Sequence, residues 1–280
     1  MRENPAYSRL RGFTLIEAIM VIVITGILGT MVAVFIRAPV EGYIDTVARA
    51  ELTDAGDTAL RRMARDVRSA LPNSLRTTSG GSSACFEFLP TVGGGRYRIA
   101  QSSVPAGDIL DFSAADNSFD VLASTSLPPA GGYATGYHAV IYNLGIPGAN
   151  AYNAADLNRA AIAPASTAAT ITLSAANQFP FQSPNKRFHV IPGFSVVYSC
   201  SGSTLLRSTR AITAAQLAAC PAGGTVLVGN VDCANSSFIY IPAAAQRNGL
   251  LTMTLVLSKP GAHGAETIRL YQEVHVDNVP

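Results

Sequence analysis

Three observations predict an α+β fold in which one long N-terminal helix packs on an antiparallel β-sheet with long loops. Residues 13–36 form an apolar run that contains a single formal charge, Glu17. Residues 37–71 place apolar side chains every three or four positions, which is typical of an amphipathic helix. Residues 72–280 contain short alternating segments separated by Gly, Pro, Ser and Asn, which favour antiparallel strands and turns. The first two segments together predict a helix with a membrane half and a domain-packing half.

The composition is that of a folded protein without a basic surface. The chain has 280 residues, of which 48% are hydrophobic, so it is long enough to bury a sizeable core. The formal net charge is +2, and the side chains of residues 1–12 alone supply this excess, with three arginines against one glutamate. The remaining side chains are close to neutral, so we expect no nucleic-acid partner.

Residues 1–12 are a short polar leader that precedes the apolar run. Its three arginines, Arg2, Arg9 and Arg11, predict that this end stays in the cytoplasm and that the rest of the chain crosses to the other side. As a helix, residues 13–36 would be about 36 Å long, which exceeds a bilayer core of about 30 Å. The apolar core of a cleaved secretory signal is shorter, so residues 13–36 are predicted to remain as a transmembrane helix.

Glu17 is the unusual residue of this span, because an ionisable group inside a membrane costs up to about 3 kcal/mol and usually marks function. The hexapeptide Gly12-Phe13-Thr14-Leu15-Ile16-Glu17 resembles the processing site of type IV pilins and of the pseudopilins of type II secretion. The resemblance implies cleavage by a prepilin peptidase between Gly12 and Phe13, N-methylation of Phe13, and pairing of Glu17 with the terminal amine of a neighbouring subunit. The alternative is an ordinary signal anchor with a stray glutamate.

The amphipathic segment is predicted to continue the same helix to about residue 70. Leu71-Pro72-Asn73 ends it, because the residue before a proline avoids the helical region. Charged side chains fill the other faces, with acids leading and arginines following, as the helix dipole favours. The predicted buried face comprises Ile44, Val47, Leu52, Ala55, Ala59, Met63, Val67 and Ala70.

The remainder is predicted to be a globular β-rich domain over residues 72–280. Residues 85–89 and 96–99 alternate around the glycines of 93–95, which predicts a hairpin. Residues 100–183 are rich in Ala, Ser, Pro, Gly and Asn, and we expect a loop-rich insertion there. Its short strand-like pieces lie at 137–142 and 170–173.

The C-terminal third has clearer strand patterns. A hairpin is predicted between residues 194–198 and 204–207, and a long terminal pair between residues 250–257 and 267–276. Further short strands are expected at 226–231 and 237–241. An antiparallel sheet whose apolar face receives the amphipathic helix is the simplest architecture.

Four cysteines, Cys85, Cys200, Cys220 and Cys233, lie in the part expected to face an oxidising compartment. An even count predicts two disulfides, for which three pairings exist. We favour Cys220–Cys233, which closes a short loop, together with Cys85–Cys200. A zinc site is the alternative, but the chain has no C-x-x-C spacing and no histidine close to the cysteines in sequence, so no metal and no cofactor are predicted.

The sequence does not predict an enzyme. It has no nucleophile elbow, no zinc-protease motif and no phosphate-binding loop. The aspartates Asp108, Asp111, Asp116 and Asp120 lack the order of ligands of a calcium-binding EF-hand loop. The histidines His138, His189, His263 and His275 are isolated in sequence, and single histidines in strands or turns are mostly structural.

A finer resemblance links both ends of the soluble part to minor pilins of the mannose-sensitive haemagglutinin (MSHA) pilus. It rests on residues 65–76, 85–88, 246–250 and 272–280, and covers 11–99 and 188–280 while leaving the middle unmatched. It implies a pilin-like fold that spans the inner membrane once, with the C-terminal domain in the periplasm and later at the tip of a pilus at the cell surface.

The implied partners are prepilin peptidase, other major and minor pilins and the inner-membrane pilus assembly machinery. The implied role is assembly or initiation of the pilus. Two alternatives remain open, a tip adhesin and a minor pseudopilin of type II secretion.

Overall fold

The computed structural model describes residues 12–79, 84–101, 106–125, 133, 136–242, 248–262, 264–278 and 280. The predicted leader is therefore outside the described residues except for Gly12, as are His263 and part of the segment 246–250. The chain divides into two compact units, the first comprising residues 1–50 and 260–266, the second residues 51–259 and 267–280.

A single helix, α1, runs over Leu15–Arg68 and is followed by antiparallel strands. This arrangement confirms the predicted α+β fold with a long N-terminal helix. The helix continues through Pro39, although a proline within a helix removes one backbone hydrogen bond. It ends two residues before the predicted end, and Leu71 and Pro72 follow in a non-helical segment.

In the first unit, α1 is apolar and open to its surroundings. The large apolar side chains of residues 13–44 are between 48 and 82% exposed, and Ile44, which was predicted to be buried, is among them. Further along, Ala48 is buried. Residues 260–266, which belong to the same unit, contact this part of the helix. Arg49 forms an ion pair of 2.7 Å with Glu266, and the amide of Ala262 donates a hydrogen bond to Asp45.

In the second unit, α1 buries one face, as its spacing predicts. Gly56 also lies on this face, and a Cβ there would come within 2.5 Å of the Leu270 side chain. Ala55, which was assigned to the buried stripe from its spacing, is exposed. The buried side chains are Leu52, Ala59, Leu60, Met63, Ala64 and Val67.

Fourteen strands follow the helix among the described residues. They are β1 Arg76–Thr77, β2 Cys85–Phe88, β3 Gly93–Tyr97, β4 Asp116–Thr125, β5 His138–Ile141, β6 Arg159–Ala161, β7 Thr170–Asn177, β8 Arg187–Ile191, β9 Phe194–Ser201, β10 Thr204–Ala211, β11 Thr225–Val228, β12 Ser237–Ile241, β13 Gly249–Gly261 and β14 Gly264–Val276. A 3-10 turn occupies Ala154–Asp156. The strands form three sheets: one has five strands in the order β1-β2-β9-β10-β11, one has three in the order β12-β13-β14, and one has six in the order β6-β5-β8-β3-β4-β7.

The five-stranded and three-stranded sheets share one core with α1. Phe86 of β2 lies at its centre, 5.4 Å from the Tyr198 ring and 5.5 Å from the Phe238 ring. Polar contacts fasten the helix to the sheet, because Asp66 accepts hydrogen bonds from the Tyr198 hydroxyl at 2.7 Å and from Arg207 Nε at 3.1 Å. The helix is thereby held against the sheet by packing and by a charge-assisted contact.

The six-stranded sheet closes into a small barrel. Its two edge strands are joined by an antiparallel bridge between Ile162, which follows β6, and Leu173 of β7. A closed sheet has no free edges, and a barrel of this size is filled by side chains. The interior contains Tyr97, Leu110, Phe119, Tyr133, Ala139, Ile141, Ala160, Ile171, Leu173, Phe179, Phe188 and Val190.

The barrel adds strands to the segment 100–183 and corrects one prediction. Strands β4 to β7 lie within this segment, and the predicted strand-like pieces 137–142 and 170–173 contain β5 and the first half of β7. The hairpin between 85–89 and 96–99 does not exist, because β2 and β3 belong to different sheets. The glycines at 93–95 are part of β3 rather than a turn. A Cβ on Gly95 would come within 2.5 Å of the Ala123 carbonyl oxygen, so the tight strand packing requires glycine.

The strands of the C-terminal third form as predicted. β9 pairs with β10 from Phe194 opposite Ala211 to Ser201 opposite Thr204. β13 and β14 are neighbours in the three-stranded sheet, and alternate residues of β13 from Leu251 to Leu257 are buried.

The predicted pairing of the cysteines is wrong. Cys85 is bonded to Cys220, and Cys200 to Cys233, with Cα atoms 5.6 and 5.5 Å apart. Cys85 lies opposite Ser199 on the neighbouring strand, so Cys200, one residue further, points to the other face of the sheet. The face of the sheet on which each cysteine lies therefore decides the pairing, and the short sequence distance between Cys220 and Cys233 does not. The two disulfides therefore lie on opposite faces of the five-stranded sheet.

Non-reducing peptide mapping is expected to recover the pairs Cys85–Cys220 and Cys200–Cys233. Replacing Cys220 with serine should leave Cys85 as a free thiol and leave the other bridge intact. Recovery of a peptide that links Cys220 to Cys233 in the unaltered protein would contradict this arrangement.

Candidate functional site

The helix begins with a reciprocal cap formed by Thr14 and Glu17. The amide of Glu17 donates to Thr14 Oγ1 at 3.3 Å, while the amide of Thr14 donates to a Glu17 carboxylate oxygen at 3.4 Å. The Thr14 hydroxyl lies 3.3 Å from the same oxygen. This is the capping box of a helix N-terminus, which satisfies backbone donors that the helix itself leaves open. The carboxylate is therefore held next to the backbone of residue 14, one residue beyond Phe13.

Gly12 and Phe13 precede this cap and are exposed. Phe13 is 82% exposed, and no atom lies within 4 Å of the position that a Cβ on Gly12 would take. The described part of the chain therefore has room for a larger residue at position 12.

The helix after this cap is long and apolar enough to cross a membrane. The apolar part of this helix is not buried within the protein. Such a segment exposes far more apolar surface than a soluble monomer tolerates. A single apolar N-terminal helix of this kind fits the inner-membrane anchor typical of pilins.

The comparison with protein families agrees with this geometry. A family model described as the prokaryotic N-terminal methylation motif matches residues 8–33. No curated protein and no solved structure shows a significant match to the chain. The motif supports a type IV pilin or pseudopilin and thereby points to a structural subunit. It implies processing by prepilin peptidase and assembly with other pilins.

A second polar cluster surrounds Glu87, which the sequence analysis did not single out. This side chain is fully buried on β2 between two phenylalanines and forms ion pairs with Arg76 at 2.9 Å and Arg210 at 3.3 Å. The hydroxyl of Ser195 donates to its other oxygen at 2.5 Å. The sequence signal for this cluster is a single acidic residue within an otherwise apolar strand. Such a residue indicates a buried charge, and a buried charge needs partners.

Arg76 links this cluster to the segment that follows β5. Its guanidinium carbon lies 3.4 Å from the centre of the Tyr152 ring, a cation–π contact, and it donates to the carbonyl oxygens of residues 213–215. Tyr152 is buried and donates to the carbonyl of Ser74 at 3.0 Å. Burial raises the pKa of Tyr152 well above its usual value, and nearby Glu87 adds to this shift. The cluster therefore connects the five-stranded sheet to the segment between β5 and β6.

The aspartates considered for calcium cap backbone groups instead. Asp120 accepts from Arg98 at 3.2 Å and from the amide of Asp108 at 3.0 Å, and Asp116 accepts from the amide of Asp111. Among the described residues, no group of three or more His, Cys, Asp or Glu is placed to hold a metal ion.

The histidines are less isolated than their sequence spacing indicates. His138 lies opposite Ile191, and His189 lies opposite Val140 on the same pair of strands. Opposite residues share a face, so the two histidines occupy diagonal positions on the outer face of the barrel. Periodicity within one strand could not have shown this relation, because it depends on how β5 and β8 pair.

Proposed function

We propose that the protein is a minor pilin of a type IV pilus of the MSHA type, processed by prepilin peptidase and acting in pilus assembly or initiation at the tip. The observation that carries the proposal is the hexapeptide from Gly12 to Glu17, in which an exposed glycine and phenylalanine precede a capped carboxylate and an unpartnered apolar helix. The peptidase would cut between Gly12 and Phe13, and Glu17 would join the amine of a neighbouring Phe13.

The finer assignment rests on the resemblance to MshO, a minor pilin of the MSHA system. Residues 65–76 run from the end of α1 into β1, and residues 85–88 coincide with β2. Before it enters the pilus, the subunit would be anchored in the inner membrane with residues 72–280 in the periplasm. The two disulfides in that part suit an oxidising compartment.

Processing is expected to leave Phe13 as an N-methylated first residue, because the signature lies directly before an apolar span. Mass spectrometry of membrane-extracted protein should detect this terminus, and a Gly12→Leu variant should retain residues 1–12. A Val34→Leu variant is the matched control, since it adds one methylene within the span, and it should be processed normally. Intact Met1 on functional, unaltered protein would refute this step.

The role in assembly is tested by deleting the gene and scoring pilus number and attachment together. Loss of surface pili that is restored by the wild-type gene supports assembly. Normal pili that fail to attach would instead identify a tip adhesin. Normal pili and attachment combined with loss of a secreted enzyme activity would identify a pseudopilin of type II secretion.

A further inference from the structure

A groove of about 570 Å³ lies on the barrel wall across β8, β3 and β4. Its floor is the glycine stretch of β3, and its rim includes Arg96, Ser124, Arg187 and His189. The size is within the range of small-molecule sites, which is about 300–1,000 Å³. Because residues 93–95 carry no side chains, a ligand could lie directly against the backbone of β3.

Two arginines face each other on one side of this groove. Arg96 of β3 lies directly opposite Arg187 of β8 in the antiparallel pair. Such positions bring the Cβ atoms to within about 5 Å, and like charges there are destabilising. Within the part of the chain that the structure describes, neither guanidinium forms an ion pair or a hydrogen bond. Arg98, two residues along the same segment, is by contrast paired with Asp120 at 3.2 Å.

The surroundings do not neutralise this pair. The outer face of the barrel adds a further cation, Arg159 of β6, which lies opposite Val140 beside His189. Among the described residues, the acidic group that acts on His189 is Asp277, which partly offsets the lowering of its pKa. The described residues of the face thus present an excess of positive charge around the groove.

His189 lies on the rim of the groove. Its Nδ1 is 3.7 Å from the position that a Cβ on Gly94 would take, so this nitrogen borders the glycine floor. Its Nε2 is buried and has no hydrogen-bond partner among the described residues. Burial, with help from Arg187, lowers the pKa of His189 to about 4, so the ring is neutral near pH 7. Nδ1 can therefore exchange a hydrogen bond with a ligand without adding charge.

We propose that this groove binds a small organic acid whose carboxylate or phosphate lies between the guanidinium groups of Arg96 and Arg187, with a further polar group of the ligand on His189. Guanidinium forks match both oxyanions, and two of them on one anion would relieve their mutual repulsion. The proposal does not depend on the role of the subunit in a pilus. The sequence analysis missed the site because the arginines are brought together only by pairing of distant strands.

The test is calorimetric titration of the full-length protein in detergent at low salt with three probes. Glucuronate carries a carboxylate, glucose 6-phosphate carries a phosphate, and glucose is the neutral control. We expect one or both acids to bind and glucose not to bind, and the stronger acid identifies the oxyanion. Arg96→Gln and Arg187→Gln should each weaken that binding about tenfold or more, as charged hydrogen bonds are lost. Arg62→Gln, on the exposed face of α1, should bind as the wild type does.

Thermal unfolding without ligand provides the second measurement. Because each glutamine variant removes a like-charge contact, its midpoint should stay the same or rise. Failure of both acids to bind, equal binding of glucose, or unchanged affinity in both variants would overturn the proposal. A lowered midpoint in both variants would also overturn it, since the arginines would then support the fold instead of a ligand.

Discussion

A Glu17→Leu variant is expected to insert into the membrane and to be cleaved normally, yet to be lost from sheared filaments. Leucine makes the span more apolar, so insertion should be at least as good as in the wild type. What disappears is the one carboxylate that could meet the amine of a neighbouring Phe13. An ammonium left unpaired in a low-dielectric core costs several kcal/mol, which is enough to exclude a subunit from the filament.

The measurement is made in a strain that lacks the native copy, scoring membrane level, processing and surface pili. Thr14→Ala is the matched control, because it removes the capping hydroxyl seen in the structure and keeps the carboxylate. Loss of a cap costs about 1 kcal/mol, so this variant should still enter filaments. Wild-type piliation with the leucine variant present in sheared filaments would falsify the assembly role of Glu17.

Glu87→Gln is expected to lower the free energy of unfolding by about 3–5 kcal/mol, because it leaves buried cations without their carboxylate. The Arg76 side chain is only 10% exposed and Glu87 is fully buried, so water cannot replace the lost ion pair. Arg210 is 29% exposed and contributes less. The amide keeps the size of the side chain, so the loss would come from charge rather than from a cavity.

Urea unfolding of the full-length protein in detergent, followed by circular dichroism, measures this loss, since the chain has no tryptophan. Glu51→Gln is the matched control, as it removes one partner of the exposed pair between Glu51 and Lys259. Exposed pairs contribute at most about 1 kcal/mol, so the control should differ little from the wild type. Equal losses in the two variants would show that the cluster around Glu87 is not a buried ion-pair network.

The elements that the sequence predicted well are those whose signal is local. The apolar run and the spacing of Leu52, Ala59, Met63 and Val67 define α1, because a helix buries residues of one face at fixed intervals. The β9–β10 hairpin is marked by Gly202, whose φ of 60° suits the turn between the strands. The methylation signature is local as well, which explains why residues 12–17 could be identified without a structure.

The features that the sequence did not predict depend on contacts between distant segments. Several strands of the barrel have small side chains, which give a weak strand pattern in the sequence. The glycines of β3 resemble a turn when only the residues adjacent in sequence are considered. The disulfide pairs follow from which face of the sheet each cysteine occupies, and this depends on the register of β2 against β9. The clusters around Glu87 and around Arg96 join residues that are far apart in the chain, so no spacing rule could have assembled them.

The attachment of the barrel has a consequence for how related chains can diverge. The chain leaves the five-stranded sheet after Phe88 and returns at Phe194, on the adjacent antiparallel strand. Without residues 89–193, β2 and β9 would meet as neighbours joined by a short turn. The segment is therefore a cassette set into one hairpin, and chains tolerate long insertions at such points.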